Sequence, residues 1–140
     1  MRMGQMPKGA LLHAHLEATV DAASLLKIAL EYPNVCIRAP DVITNESIDS
    51  VLPDFLALPA AESYISPATI TSQYYVPSTC VSAQKARNEW PEALGGPQGF
   101  DAWVVQALTI NPREAYETHN TTTKIWNKFV SCFTVIRVST

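Results

Sequence analysis

The chain has 140 residues, of which 47% are hydrophobic, 16% charged and 9% aromatic, which excludes a disordered polyelectrolyte and a low-complexity linker. Ten Lys and Arg against thirteen Asp and Glu give a formal charge of -3 with no basic stripe to collect phosphates, so nucleic acid is not an expected partner. No apolar run approaches the roughly 20 residues of a membrane helix, since the best, Ala10 to Leu16, is interrupted by His13 and His15, and no membrane partner is expected.

The start Met1-Arg2-Met3-Gly4-Gln5-Met6 has one positive charge and lacks the apolar core of a secretory signal, so export is not supported by this N-terminus, the chain as it stands reads as cytoplasmic, and its localisation is left open. Cys36, Cys80 and Cys132 are an odd, widely spaced set without a C-x-x-C, which argues against a thiolate zinc site and a dense disulfide framework. Three partly buried free thiols are the expectation, with a single Cys36 to Cys80 bridge as the alternative.

Gly9 to Leu16, after Pro7, has the length of a buried strand. Asp21 can cap a helix in which Ala22, Leu25, Leu26, Ala29 and Leu30 recur at helical spacing until Pro33 forbids continuation. Asn34 to Arg38, rich in β-branched residues between a Pro-Asn turn and Pro40, reads as a second extended segment. Between Pro40 and Pro97, prolines at 53, 59, 67, 77 and 91 break any long helix and leave a long irregular region with short pieces. Such a region suits either an inserted loop or lid near a binding site or a surface excursion without a role.

Order returns after Gly95-Gly96-Pro97, where Phe100, Trp103, Val104, Ala107 and Leu108 form the stripe of an amphipathic helix. Asn111, Pro112 and Glu114 read as the N-cap, first residue and third residue of another short helix. After the polar stretch Thr118 to Thr123, Asn120 can cap a last helix with Ile125, Phe129 and Phe133 on one face and Trp126 and Val130 beside it.

In a strand, residues i and i+2 share a face, so His13 and His15 would project together roughly 6 to 7 Å apart along the backbone. Zinc takes imidazole nitrogen at about 2.0 to 2.1 Å, but two ligands are half a site, and on spacing alone two histidines in an apolar strand are more often packed, hydrogen-bonded core residues. Glu17, just past the strand, is the acid placed to meet a ligand held there, or else a turn carboxylate near the next helix. His119 reads as a solvated loop residue with no metal motif around it. The H-x-E with P-C-x-x-C pattern of single-base deaminases is missing, as are the Walker, dinucleotide and G-x-S-x-G signatures. Asn45 and Asn120 begin N-x-[ST] sequons, which serve as glycan acceptors only in an exported chain.

Met6-Pro7-Lys8-Gly9-Ala10-Leu11-Leu12-His13-Ala14-His15-Leu16-Glu17-Ala18 closely resembles the first-strand motif of the adenosine deaminase family, in particular its growth-factor-related branch as found in fungi. Ala93 to Pro97, Leu108 to Pro112 and Thr123 to Phe129 are similar to that branch as well, so the resemblance spans nearly the whole chain. It implies an α/β fold, a fragment of a (β/α)8 TIM barrel comprising the first strand, the following helices and a long irregular insertion. It further implies a partial catalytic domain over residues 1–140, truncated at both ends, because such a barrel takes around 250 residues. By this resemblance His13 and His15 are zinc ligands, to be joined by a further His and an Asp. Zinc-activated water attacks the amino-bearing carbon of adenosine, a Glu protonates the purine ring, and inosine and ammonia leave. The further ligands and that Glu have no counterpart here, so no catalytic residue is assigned within the chain. Glu17 stands where the family usually has an Asp touching a ribose hydroxyl. Trp126 matches a tryptophan lining the nucleoside site, a position that equally suits core packing. The resemblance also implies a homodimer in the longer parent and a branch that is often secreted. The alternative expectation is a truncated, non-enzymatic remnant or interaction module.

Overall fold

The computed structural model describes residues 20–58, 67–110, 128 and 137–138. The strand expected at Gly9 to Leu16 and the helix expected to start at Asn111 lie outside them; of the last expected helix only Lys128 is described, in helical conformation and buried.

Helix α1, Ala22–Glu31, starts where its sequence says it should. Asp21 has extended backbone, its Oδ1 accepts the Ser24 amide at 3.0 Å and its Oδ2 accepts the Ser24 hydroxyl at 2.6 Å, which satisfies a donor the first turn leaves free. Pro33 ends the helix by pushing Tyr32 out of helical space, to φ -105 and ψ 114. Leu26 and Ala29 are buried, and Ala22, Leu25 and Leu30 pack against the same core.

Strand β1, Val35–Arg38, is covered on both sides: Val35 and Ile37 enter the apolar core while Cys36 points the other way and is buried as well. It pairs antiparallel with β2, Asp54–Ala57, and antiparallel with β3, Val81–Ser82. The two-residue strand β4, Arg137–Val138, lies parallel to β2, giving the open order β3-β1-β2-β4. Arg38 stands opposite Asp54 in the β1–β2 register, and its guanidinium grips that carboxylate at 2.6 and 2.8 Å.

Ser82 ends β3 and caps α2, Ala83–Asn88, by accepting the Lys85 amide at 3.4 Å. A 3-10 turn, Glu92–Leu94, follows, and Gly95 at φ 95 turns the chain into helix α3, Gly96–Ala107. Phe100, Trp103, Val104, Ala107 and Leu108 are all buried, as their spacing predicts. Trp90 stacks on Trp103 at 5.2 Å and meets the Phe100 ring edge-on at 5.3 Å, so the turn and α3 share one aromatic cluster. Arg87 of α2 forks onto Asp101 of α3 through two parallel bonds of 2.8 and 2.9 Å.

The expected fragment of a (β/α)8 barrel is not what these residues build. A barrel repeats strand, helix and parallel strand, whereas β1 passes to β2 without a helix between them and pairs antiparallel with both β2 and β3. The helices pack on one another, α1 and α2 against α3, rather than each bridging two parallel strands. The described residues form a small α/β unit with an open sheet, whose three principal strands are antiparallel. The region from Pro40 to Pro97 is correspondingly less irregular than expected, since it supplies β2, β3, α2 and the 3-10 turn.

Free thiols at Cys36 and Cys80 are a second expectation the structure overturns: the two form a disulfide with Cα atoms 5.7 Å apart. The register explains it. Cys36 faces Ser82, and Cys80, two residues earlier, presents its side chain on the same face of the ladder.

Candidate functional site

The residues expected to hold zinc, His13 and His15, and those expected to meet the nucleoside, Glu17 and Trp126, lie outside the described residues. So does the third histidine, His119. The described unit begins immediately after this motif, at Val20, and Asp21 fixes how the chain enters α1. Among the described residues no group of three or more His, Cys, Asp or Glu side chains is placed to hold a metal ion. By chemistry alone, two imidazoles at alternate positions, His13 and His15, suit zinc and would supply two of the four donors of a tetrahedral set.

Within the described residues several polar side chains hold the unit together. The Tyr75 hydroxyl accepts the Ala39 amide at 3.0 Å and approaches the carbonyls of Thr79 and Ala39 at 2.7 and 3.2 Å. It pins a turn in which Pro77 and Ser78 are the central residues and the Thr79 amide returns to the Val76 carbonyl at 3.2 Å. Ser78 takes φ 64, the left-handed value a type II turn demands at that position. The sequence holds no signal for the Tyr75 anchor, because its partners are backbone groups 36 and 4 residues away.

A second anchored turn spans residues 42–51. The Thr44 amide donates to the Ser47 hydroxyl at 2.9 Å and the Ser47 amide to the Thr44 hydroxyl at 3.3 Å, a reciprocal pair like that of a capping box. Ile43 donates to the Ile70 carbonyl at 3.0 Å, and the Trp103 indole donates to the Ile48 carbonyl at 3.1 Å, tying both flanks of the turn to the core. Asn45 and Glu46 stand exposed at its tip.

The charged groups respond to these contacts. Hydrogen bonds from the Ser24 hydroxyl and amide hold the Asp21 carboxyl below the usual carboxylate range, and the Thr44 hydroxyl does the same for Glu46. The hydrogen bonds to Asp101 raise the Arg87 guanidinium above its ordinary value. The exposed large apolar side chains among the described residues are Val20, Ile28 on α1, Tyr32 just past its end, and Tyr74 and Val76 beside the Pro77 turn.

Compared with known proteins, the chain matches no family model, no curated protein and no solved structure.

Proposed function

We propose that the chain belongs to a zinc-dependent aminohydrolase that converts adenosine and water to inosine and ammonia. The observation behind this reading is the stretch from Met6 to Ala18, in which His13 and His15 alternate along one apolar segment and Glu17 stands two residues after His15. His13 and His15 hold the metal, Glu17 contacts the ribose, and Trp126 lines the nucleoside pocket. Bound zinc supplies the Lewis acidity that makes water nucleophilic near neutral pH. The remaining ligands and the proton donor come from residues outside these motifs. Most of the disulfide-closed α/β unit, residues 20–58 and 67–110, lies in sequence between Glu17 and Trp126, and β4 follows Trp126.

A second reading, a non-enzymatic interaction module, is favoured by the exposed Tyr74 and Val76 on a unit that has its own apolar core. Metal analysis and a deamination assay separate the two. The first reading expects stoichiometric zinc in the native protein, with zinc and inosine formation both lost on His13→Ala. It expects the 140-residue chain alone to be without turnover. A native protein that holds no zinc and leaves adenosine unchanged overturns the hydrolase reading and leaves the interaction module.

A further inference from the structure

We propose that Asn45 is an N-glycosylation site. The sequon Asn45-Glu46-Ser47 has a residue other than proline at its centre and a hydroxyl at its third position. Such matches arise by chance, so the sequence alone decides nothing. Two independent structural observations support this one. The first is where the asparagine stands: Thr44, Asn45 and Glu46 are all exposed, and the Asn45 side-chain amide makes no hydrogen bond among the described residues. Its neighbours hold the turn from beneath, Ile43 buried and bonded to Ile70, Ile48 bonded through its carbonyl to the Trp103 indole. A glycan on Asn45 therefore extends into solvent without displacing any packed group. The second is the Cys36–Cys80 disulfide, a bond that forms and persists in the compartments where glycan transfer takes place and is rare where thiols are kept reduced.

The donor is an oligosaccharide on a polyprenyl pyrophosphate. The bond from the Asn45 amide nitrogen to the first sugar carbon forms as the bond from that carbon to the pyrophosphate breaks. The pyrophosphate leaves with the electron pair and the amide nitrogen gives up one proton. In the folded turn the Ser47 hydroxyl is engaged with the Val42 carbonyl at 3.2 Å and with Thr44, so the transferase meets this sequon before the turn closes.

The test is site-resolved mass spectrometry of the protein isolated from the cells that make it, with and without peptide N-glycosidase in heavy-oxygen water. Conversion of Asn45 to Asp carrying heavy oxygen is expected, together with a gel-mobility step that the glycosidase removes and that Asn45→Gln lacks. Asn45→Gln breaks no hydrogen bond of the described unit, so its thermal midpoint should match that of the enzymatically deglycosylated wild type. An Asn120 glycan gives a separate step that Asn45→Gln retains. Asn45 recovered unmodified from disulfide-bonded native protein overturns the proposal, and so does native protein in which Cys36 and Cys80 are free thiols.

Discussion

Cys36 lies at the centre of the sheet and Cys80 at its edge, and their disulfide closes a loop of sequence separation 44 that contains β2, both anchored turns and the peptide leading to β3. The bond joins two strands that pair over only two residue positions, Cys36 with Ser82 and Ile37 with Val81. So short a ladder has little stability of its own, and the covalent link supplies what the hydrogen bonds do not.

In the chain-entropy description a loop of this length raises folding stability by about 4 kcal/mol, and typical measured values are about 2 to 4 kcal/mol. Cys80→Ser should therefore lower unfolding free energy by about 2 to 4 kcal/mol in a denaturant titration, with the larger loss near the edge strand β3. Hydrogen exchange at Val81 and Ser82 should accelerate more than at Phe100 or Val104.

Tyr75 is buried with its hydroxyl among backbone groups of Ala39 and Thr79. Tyr75→Phe keeps the ring and deletes the oxygen, which leaves the buried Ala39 amide without its acceptor. An unmet buried donor costs about 1 to 3 kcal/mol, so the variant should unfold at correspondingly lower denaturant concentration with an unchanged slope. A loss under a few tenths of a kcal/mol, roughly the noise of such comparisons, would show that water reaches the Ala39 amide.

What could be read from the sequence follows the length of each element. Helix α3 offers five apolar positions at helical spacing and α1 offers a cap, a stripe and a terminating proline, so both were legible and both formed. Strand β1 was legible from its β-branched residues. Strands β2 and β3 and the six-residue α2 are too short for any period to stand out, and they exist because β1 supplies a register for them and α3 a surface. The disulfide could be named from the sequence only as an alternative for the same reason: the β1–β3 register is what brings Cys36 and Cys80 to one face. The barrel expectation came from the motif around His13, and the residues that carry that motif lie outside the described unit, which folds on its own terms. Of the proposed metal and nucleoside site, the sequence shows residue types and spacing, and the described structure places none of them.

Gly99 sits where α3 crosses the end of the 3-10 turn. A methyl group at this position would overlap the carbonyl oxygen of Leu94, a backbone atom that also accepts the Trp90 indole at 3.3 Å. Relief requires α3 to move away from the turn, which pulls Phe100 and Trp103 off Trp90. Gly99→Ala gains helix propensity elsewhere, yet here overpacking should outweigh it, for a net loss of about 1 to 3 kcal/mol. Near-ultraviolet circular dichroism should report the disturbed tryptophan pair, and a spectrum and midpoint equal to the wild type would contradict the close approach.

Asp21 links stability to pH. Its carboxyl is held below its ordinary value in the folded chain, chiefly by the Ser24 hydroxyl and then by the Ser24 amide. A group whose folded pKa is depressed stabilises the fold fully above its unfolded pKa, and that contribution is lost as pH falls through the folded value. The thermal midpoint of the wild type should thus decline as solutions are acidified below the usual carboxylate range, partly through fraying of α1. Asn is an equally good N-cap without a charge to titrate, so Asp21→Asn should keep the helix while flattening part of that acid limb. Asp21→Ala should lower the midpoint at neutral pH, because the Ser24 amide and hydroxyl then lose their acceptor, and the difference from wild type should shrink toward acid as the wild-type carboxylate is itself protonated. A difference that stays constant across the titration would assign the loss to something other than the ionised cap.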